Sequence, residues 1–193
     1  MHFPLILLLG IGVYRGIEAD SDCSPRPGEK NIASTGVATQ SSLYLKDFPR
    51  LANDGIRSTY YYKGFCSCTT KESNPWWRLD LQRTWKIRSV VLVNPSDCCI
   101  NLLWGAQIRI GNRSDNNNPV CGTITNAAAG SSTRLCCAGM EGRYVSVVIP
   151  GRKEWLSLCE VEVYPMLQDE SECKQLDVQP DSYNSIQVLK LSV

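Results

Sequence analysis

The chain has 193 residues, a formal net charge of +1, and a single histidine, His2. The near-neutral balance leaves no electrostatic footprint for nucleic acid. With histidine confined to position 2, the rest of the chain lacks the usual general acid–base group and the Ser–His and Cys–His nucleophile pairs. No Gly-x-Ser-x-Gly elbow or phosphate loop is present either, so catalysis is the least favoured reading.

The chain opens with an apolar run, Leu5 to Val13, too short to cross a bilayer. It reads as a secretory signal over residues 1–19, cut after Ala19. No later stretch carries the roughly 18 apolar residues of a membrane helix, so the expected product is secreted, extracellular and without a transmembrane segment. Ten cysteines fit that compartment: Cys23, Cys66, Cys68, Cys98, Cys99, Cys121, Cys136, Cys137, Cys159 and Cys173. An even set suggests a disulfide framework. Cys66-Ser67-Cys68 and the two Cys-Cys pairs lack the spacing of zinc hairpins and have no histidine beside them.

Residues 20–30 are polar, with Pro25 and Pro27, and read as an extended lead-in. From 31 to 165 the chain carries short β-branched and aromatic runs separated by turn formers. These are Trp76 to Leu81, Ser89 to Val93, Ala106 to Ile110, Tyr144 to Ile149 and Leu158 to Tyr164. Cys159, Val161 and Val163 alternate with Glu160, Glu162 and Tyr164, the period of a strand with one buried face. Many short strands with Gly, Asn and Pro turns predict an all-β antiparallel sandwich. The tail, 166–193, is acidic, with Asp169, Glu170, Glu172, Asp177 and Asp181 against Lys174 and Lys190. Cys173 in the tail is a candidate partner for Cys23, since both flank the domain and chain ends often lie close together.

Within this frame Asp97-Cys98-Cys99 stands out. Adjacent cysteines either reach different distant partners or close on each other. The latter gives a rigid apolar disk of sulfur suited to the methyl or flat face of a small ligand. Trp104, Tyr60, Tyr61, Tyr62, Phe65, Leu102 and Leu103 add apolar and aromatic surface in nearby segments. Such rings stack on sugars, anchor protein partners, enter a lipid interface, or simply pack a loop. Asn112-Arg113-Ser114 is an N-glycosylation sequon placed after a predicted strand.

Several segments occur as an ordered set. They are Asn31-Ile32-Ala33, Ala38-Thr39-Gln40-Ser41-Ser42, Asn53-Asp54-Gly55, Cys68-Thr69-Thr70 and Asn74-Pro75-Trp76-Trp77-Arg78-Leu79-Asp80-Leu81. Asp97-Cys98-Cys99, Gly139 to Val145, Val148 to Arg152 and Leu158 to Tyr164 follow. Over 31–165 this set resembles the F-type lectins, the fucolectin or tachylectin-4 family. The resemblance implies a discoidin-like β-jellyroll sandwich that holds fucose-bearing glycans of cell surfaces or microbes in loops at one end, often as a homo-oligomer. It also implies disulfides Cys68–Cys159, Cys121–Cys137 and Cys98–Cys99, which leaves Cys66 and Cys136 for each other.

The resemblance further implies one Ca2+ ion. Its side-chain ligands fall on Asp54, Ser67 and Glu160, and its carbonyl ligands on Leu51, Ile56, Ser67 and Cys159. Two carboxylates with neutral oxygens suit such a hard cation. The stretch from Ile56 to Ser67 is about two residues longer than the family pattern. At the sugar site the family places a histidine, an Arg-x-Asp and a second cation. Thr70, Pro95 and Leu102 occupy the positions of the histidine and the two cations here, and only Asp97, Cys98 and Cys99 persist. Pro95 and Leu102 have no side-chain donor. The expectation is a lectin-like protein with altered or weakened fucose recognition. The alternative is a protein- or membrane-surface interaction module on the same scaffold.

Overall fold

The structure of the protein is a computed structural model that describes residues 23, 24 and 26–166. The expected signal at 1–19 and the acidic tail from 167, with Cys173, lie outside the described residues. The strands in chain order are β1 (Val37–Gln40), β2 (Ser67–Cys68), β3 (Glu72–Ser73), β4 (Trp76–Val93) and β5 (Gln107–Gly111). They continue with β6 (Val120–Thr123), β7 (Ser132–Val148), β8 (Lys153–Glu154), β9 (Ser157–Leu158) and β10 (Glu160–Pro165). The helical pieces among the described residues are single 3-10 turns at Ala33–Thr35, Pro49–Ala52 and Tyr61–Lys63.

Two strands are long enough to serve both layers of a sandwich. The first arm of β4 pairs with β1, Val37 opposite Asp80 and Gln40 opposite Trp77. Its second arm pairs with β10, Glu160 opposite Val93 and Val163 opposite Val90. β7 runs antiparallel to both arms, with its register broken between Asp80/Tyr144 and Trp85/Gly142. Left-handed backbone at Gln82 (φ 66°) and Gly139 (φ 78°) marks the stretches where the two strands turn over. Gly142 is required there for room, since a Cβ would stand 2.5 Å from the Gly111 nitrogen. The runs at Trp76 to Leu81 and Ser89 to Val93, expected as separate strands, are thus two arms of one.

The arms face each other. Trp77, Leu79 and Leu81 of the first and Ile87, Val90 and Leu92 of the second share one core with Ile108, Ile110, Val145, Val147, Val161 and Val163. Alternation with period two supplies this inner face. Because both long strands double back, their free ends meet at one end of the sandwich. There Ile149 N–H donates to Pro75 O (2.9 Å) and Asn94 N–H to Ser131 O (2.9 Å). Segments 41–48, 59–66, 94–106 and 149–156 collect at this end and form its mouth.

Four disulfides are formed: Cys23–Cys136, Cys66–Cys159, Cys98–Cys99 and Cys121–Cys137. Three expected pairings are corrected. Cys159 bonds Cys66 and not Cys68, which is a buried free thiol. The register decides this, because Ser67 stands opposite Leu158 and Cys68 opposite Ser157, so one step further Cys66 faces Cys159. Cys136 is therefore not bonded to Cys66. It takes Cys23, which also overturns a Cys23–Cys173 bond. The lead-in is pinned against β4 by a buried ion pair, Glu29 with Arg88 at 2.9 Å, their side chains 2% and 4% exposed. Arg134 adds a second cation 3.8 Å from Glu29.

Candidate functional site

The segment from 94 to 106 crosses the mouth from one layer to the other and carries the cysteine pair. Its entry is held by Asn94, whose buried amide donates to the carbonyls of Ile100, Ala127 and Ala128 at 2.9, 3.0 and 2.9 Å. Its exit is held by Arg152, whose guanidinium donates to Leu102 O (2.8 Å) and Trp104 O (2.6 Å). Carbonyls braced at both ends fix where the Cys98–Cys99 disk lies.

Beside the disk is a depression of about 390 Å³. Cys99 and Leu102 line one wall, and Tyr44, Tyr61, Tyr62, Cys68 and Trp155 line the rest. Tyr61 is set by its hydroxyl, which donates to Asp47 (2.7 Å), and by a T-shaped contact with Tyr62 at 5.5 Å between ring centres. Burial pushes the Asp47 carboxyl up, and the Tyr61 hydrogen bond offsets part of that rise. The Cys68 thiol is pushed up to about 12, first by burial and then by the Asp47 charge, so it stays protonated and behaves as a small apolar wall.

The expected sugar residues do not all converge on this depression. Cys99 and Leu102 line it. Asp97 turns to the backbone, its carboxylate accepting from Tyr61 N–H (2.8 Å) and Tyr62 N–H (3.2 Å). It thereby braces the tyrosine loop. Pro95, at the start of the crossing segment, is buried, its carbonyl accepting from Gly130 N–H (2.9 Å). Thr70 bonds inward, its hydroxyl donating to the Ser42 oxygen (2.9 Å). Rings and sulfur, with no charged side chain, line the depression.

The carboxylates expected for calcium are close together. Asp54 and Gly55 abut the start of β10, where Gly55 N–H donates to Glu160 Oε1 (3.2 Å) and Ile56 N–H to Asp54 Oδ1 (2.9 Å). The Glu160 side chain is fully buried, and its Oε2 has no hydrogen-bond partner. Glu162, two residues on, supplies the control. It is also buried, but it accepts from Arg57 and from the Tyr164 hydroxyl (2.8 Å). Burial works to raise Glu162, yet these donors hold it below the usual range. Glu160 accepts no hydrogen bond from Arg57, whose charge offsets only a small part of the rise, and burial followed by repulsion from Asp54 pushes it up to about 8. A buried carboxylate with an orphan oxygen beside a second carboxylate fits a bound cation. Among the described residues no set of three or more His, Cys, Asp and Glu side chains could hold a metal, so neutral oxygens must complete any shell. Ser67 is buried with its hydroxyl on Leu158 O (3.3 Å), two residues before Glu160. Leu51 lies in the 3-10 turn preceding Asp54, and Cys159 adjoins Glu160.

Residues 51–147 match the NedA-like, galactose-binding domain family of the F5/F8 type C kind. Fucolectin-5 of Anguilla japonica is 41% identical over 173 residues, 84% of this chain and 91% of that protein. The chain belongs to the fucolectin family. A serum fucolectin of striped bass, Morone saxatilis, superposes with a TM-score of 0.69 at 45% identity. The match covers 72% of this chain and 48% of the other, so the chain spans about half the length of that lectin. A Streptococcus pneumoniae fucose-binding module matches at a TM-score of 0.62 and 29% identity, over 72% of this chain and 99% of the module. Against this background the mouth of this fucolectin-family chain is the natural place to look for ligand contacts.

Two contributors to that mouth escaped the sequence reading. Trp155 and Tyr44 come from segments with no family motif, and they reach the depression only because the arms of β4 and β7 end together. Arg152 sat inside a quoted motif, but its grip on Leu102 and Trp104 could not be read from spacing.

Proposed function

We propose that this fucolectin-family protein is a secreted, non-enzymatic carbohydrate-binding protein that holds Ca2+ and engages glycans through an aromatic mouth, with weakened recognition of simple fucose. The observation that carries this reading is the depression beside Cys98–Cys99, walled by Cys99, Tyr61, Tyr62 and Trp155. Aromatic walls stack on the C–H faces of sugars. Charge-assisted hydrogen bonds contribute roughly 1.5–3 kcal/mol each. Replacing two cations by Pro95 and Leu102 should therefore weaken fucose about a hundredfold or more. Ca2+ at Asp54 and Glu160, with oxygens of Ser67, Leu51, Ile56 and Cys159, would neutralise the buried carboxylate and fix the loop before the tyrosines. Cell-surface and microbial glycans are the expected partners, and oligomers would raise avidity for clustered ligands.

A glycan array probed with Ca2+ and again with chelator tests the reading. Hits that weaken in chelator support it, and an array without hits overturns it. A second reading draws on the exposed Leu45, Tyr62 and Trp104, respectively 75%, 77% and 61% accessible. Apolar groups so exposed can dock on a protein or membrane surface. Liposome sedimentation of wild type against Trp104→Ala separates the two, since equal behaviour of both proteins removes the membrane form of this alternative.

A further inference from the structure

Every carboxylate of the loops that frame the aromatic depression is engaged by the protein itself. Asp47 accepts from the Tyr61 hydroxyl (2.7 Å), and Asp97 accepts from the Tyr61 and Tyr62 amides. Glu72 Oε1 accepts from the hydroxyls of Ser41 (2.6 Å) and Ser42 (2.5 Å). Glu154 accepts from Trp155 N–H (3.1 Å).

The lysines of the same loops are placed differently. Lys71 is exposed and sets its ammonium 4.6 Å from the centre of the Trp155 ring. Trp155 lines the depression, so this charge sits within a ring's breadth of the cavity wall. Lys63 stands 4.7 Å over Tyr60, next to the lining tyrosines. A cation over an aromatic face is held in place while its N–H donors remain available.

From this we propose that the mouth selects glycans that carry an anionic substituent, a carboxylate or a sulfate, with Lys71 as the specificity-determining residue and Trp155 as the stacking platform. The inference rests on the carbohydrate-binding reading above and refines it. An acidic sugar packed by an apolar face against the walls of Trp155 and Tyr62 would bring its anion within reach of the Lys71 ammonium, which stands over the Trp155 ring. Neutral fucose offers only hydroxyl oxygens, and the side chains at positions 95 and 102 have no donor for them. The two arginine-type donors missing from the crossing segment are thus replaced by one cation from a different loop, at the rim of the site. Carboxylate and sulfate share the chemistry, so the probes must tell them apart.

The test uses the Lewis x trisaccharide, its 3′-sialyl form and its 3′-sulfo form, titrated into the full chain in Ca2+ by calorimetry. At least one anionic form is expected to bind about tenfold tighter than the neutral parent, and raising the salt from 50 to 500 mM should erase most of that advantage. Which anionic form wins assigns the substituent. Lys71→Gln should abolish the difference without changing the thermal midpoint, because the lysine is exposed. Trp155→Phe keeps a ring and should retain the preference for anions. Equal affinity of the neutral and charged forms, or a preference that survives Lys71→Gln, overturns the inference while the carbohydrate-binding reading stands. Failure of all three probes, together with an array without hits, removes both.

Discussion

Glu160 gives the sharpest test of the calcium reading. Its folded value of about 8 lies above the ordinary 4.5, so the metal-free fold retains a proton that the unfolded chain releases. Between those two values the unfolded state binds fewer protons, and stability falls as pH rises, by about 1.4 kcal/mol per pH unit. By pH 7 the metal-free protein has lost about 3 kcal/mol relative to pH 4.5, and the loss is complete near pH 8. No histidine lies between residues 23 and 166, so no other side chain with an ordinary value titrates through this window. Ca2+ at a hundred times its dissociation constant should restore about 2.7 kcal/mol. The assay is urea unfolding of wild type and Glu160→Gln at pH 5 to 8, in EDTA and in millimolar Ca2+. Gln keeps an acceptor for Gly55 N–H and carries no charge. In EDTA the variant should keep only the pH dependence that the raised Asp47 carboxyl contributes, and it should be about 3 kcal/mol more stable than wild type at pH 7. Ca2+ should stabilise wild type alone. A wild-type curve in EDTA that does not fall from pH 5 to 8, or equal stabilisation of both proteins by Ca2+, would refute the reasoning.

Glu29→Gln leaves Arg88 buried opposite a neutral partner. Removing one member of a buried pair costs about 3–5 kcal/mol, read as a lowered urea midpoint. Cys66→Ser opens a bridge between positions 93 residues apart and should cost about 2–4 kcal/mol. Cys68→Ser should spare the disulfide framework, and peptide mapping without reductant should recover Cys66 joined to Cys159 in that variant. Arg152→Ala frees the carbonyls of Leu102 and Trp104. It should raise the mobility of the exposed Trp104, seen as lower anisotropy of the Trp104 emission once the signal of a Trp104→Phe reference protein is subtracted, while lowering stability by about 1–3 kcal/mol. Fucose itself should bind no tighter than millimolar by calorimetry, and a micromolar constant would show that the missing cations are replaced from elsewhere.

The elements that the sequence displayed were those with a local signature. Alternation along Glu160 to Tyr164 identified β10 because one of its faces is packed and the period of a strand is two. The doubling back of β4 could not be seen, because Gln82 carries no mark of the left-handed backbone it adopts. The cysteine pair and Asp97 were legible as a motif, yet the role of Asp97 as a brace for Tyr61 and Tyr62 depends on a contact 36 residues distant. Counting along the family pattern pointed to Cys68 as the partner of Cys159, whereas the register of β2 against β9 assigns Cys66 directly. Trp155 belongs to no motif in the sequence, and its place on the depression is set by contacts with distant segments.

The turn-over of β4 and β7 also decides how the molecule stands. β10 runs from Glu160 opposite Val93 down to Pro165 opposite Ile87, and Met166 N–H then donates to Lys86 O (2.8 Å). Asn112, the sequon residue, meets Thr84 and the Arg143 amide at the same end. The exit of the domain and its potential glycan acceptor thus share a pedestal, and the aromatic cup crowns the opposite pole. Whatever grips the pedestal, whether a tether, a neighbouring copy or an attached sugar chain, holds the domain by the pole away from the cup.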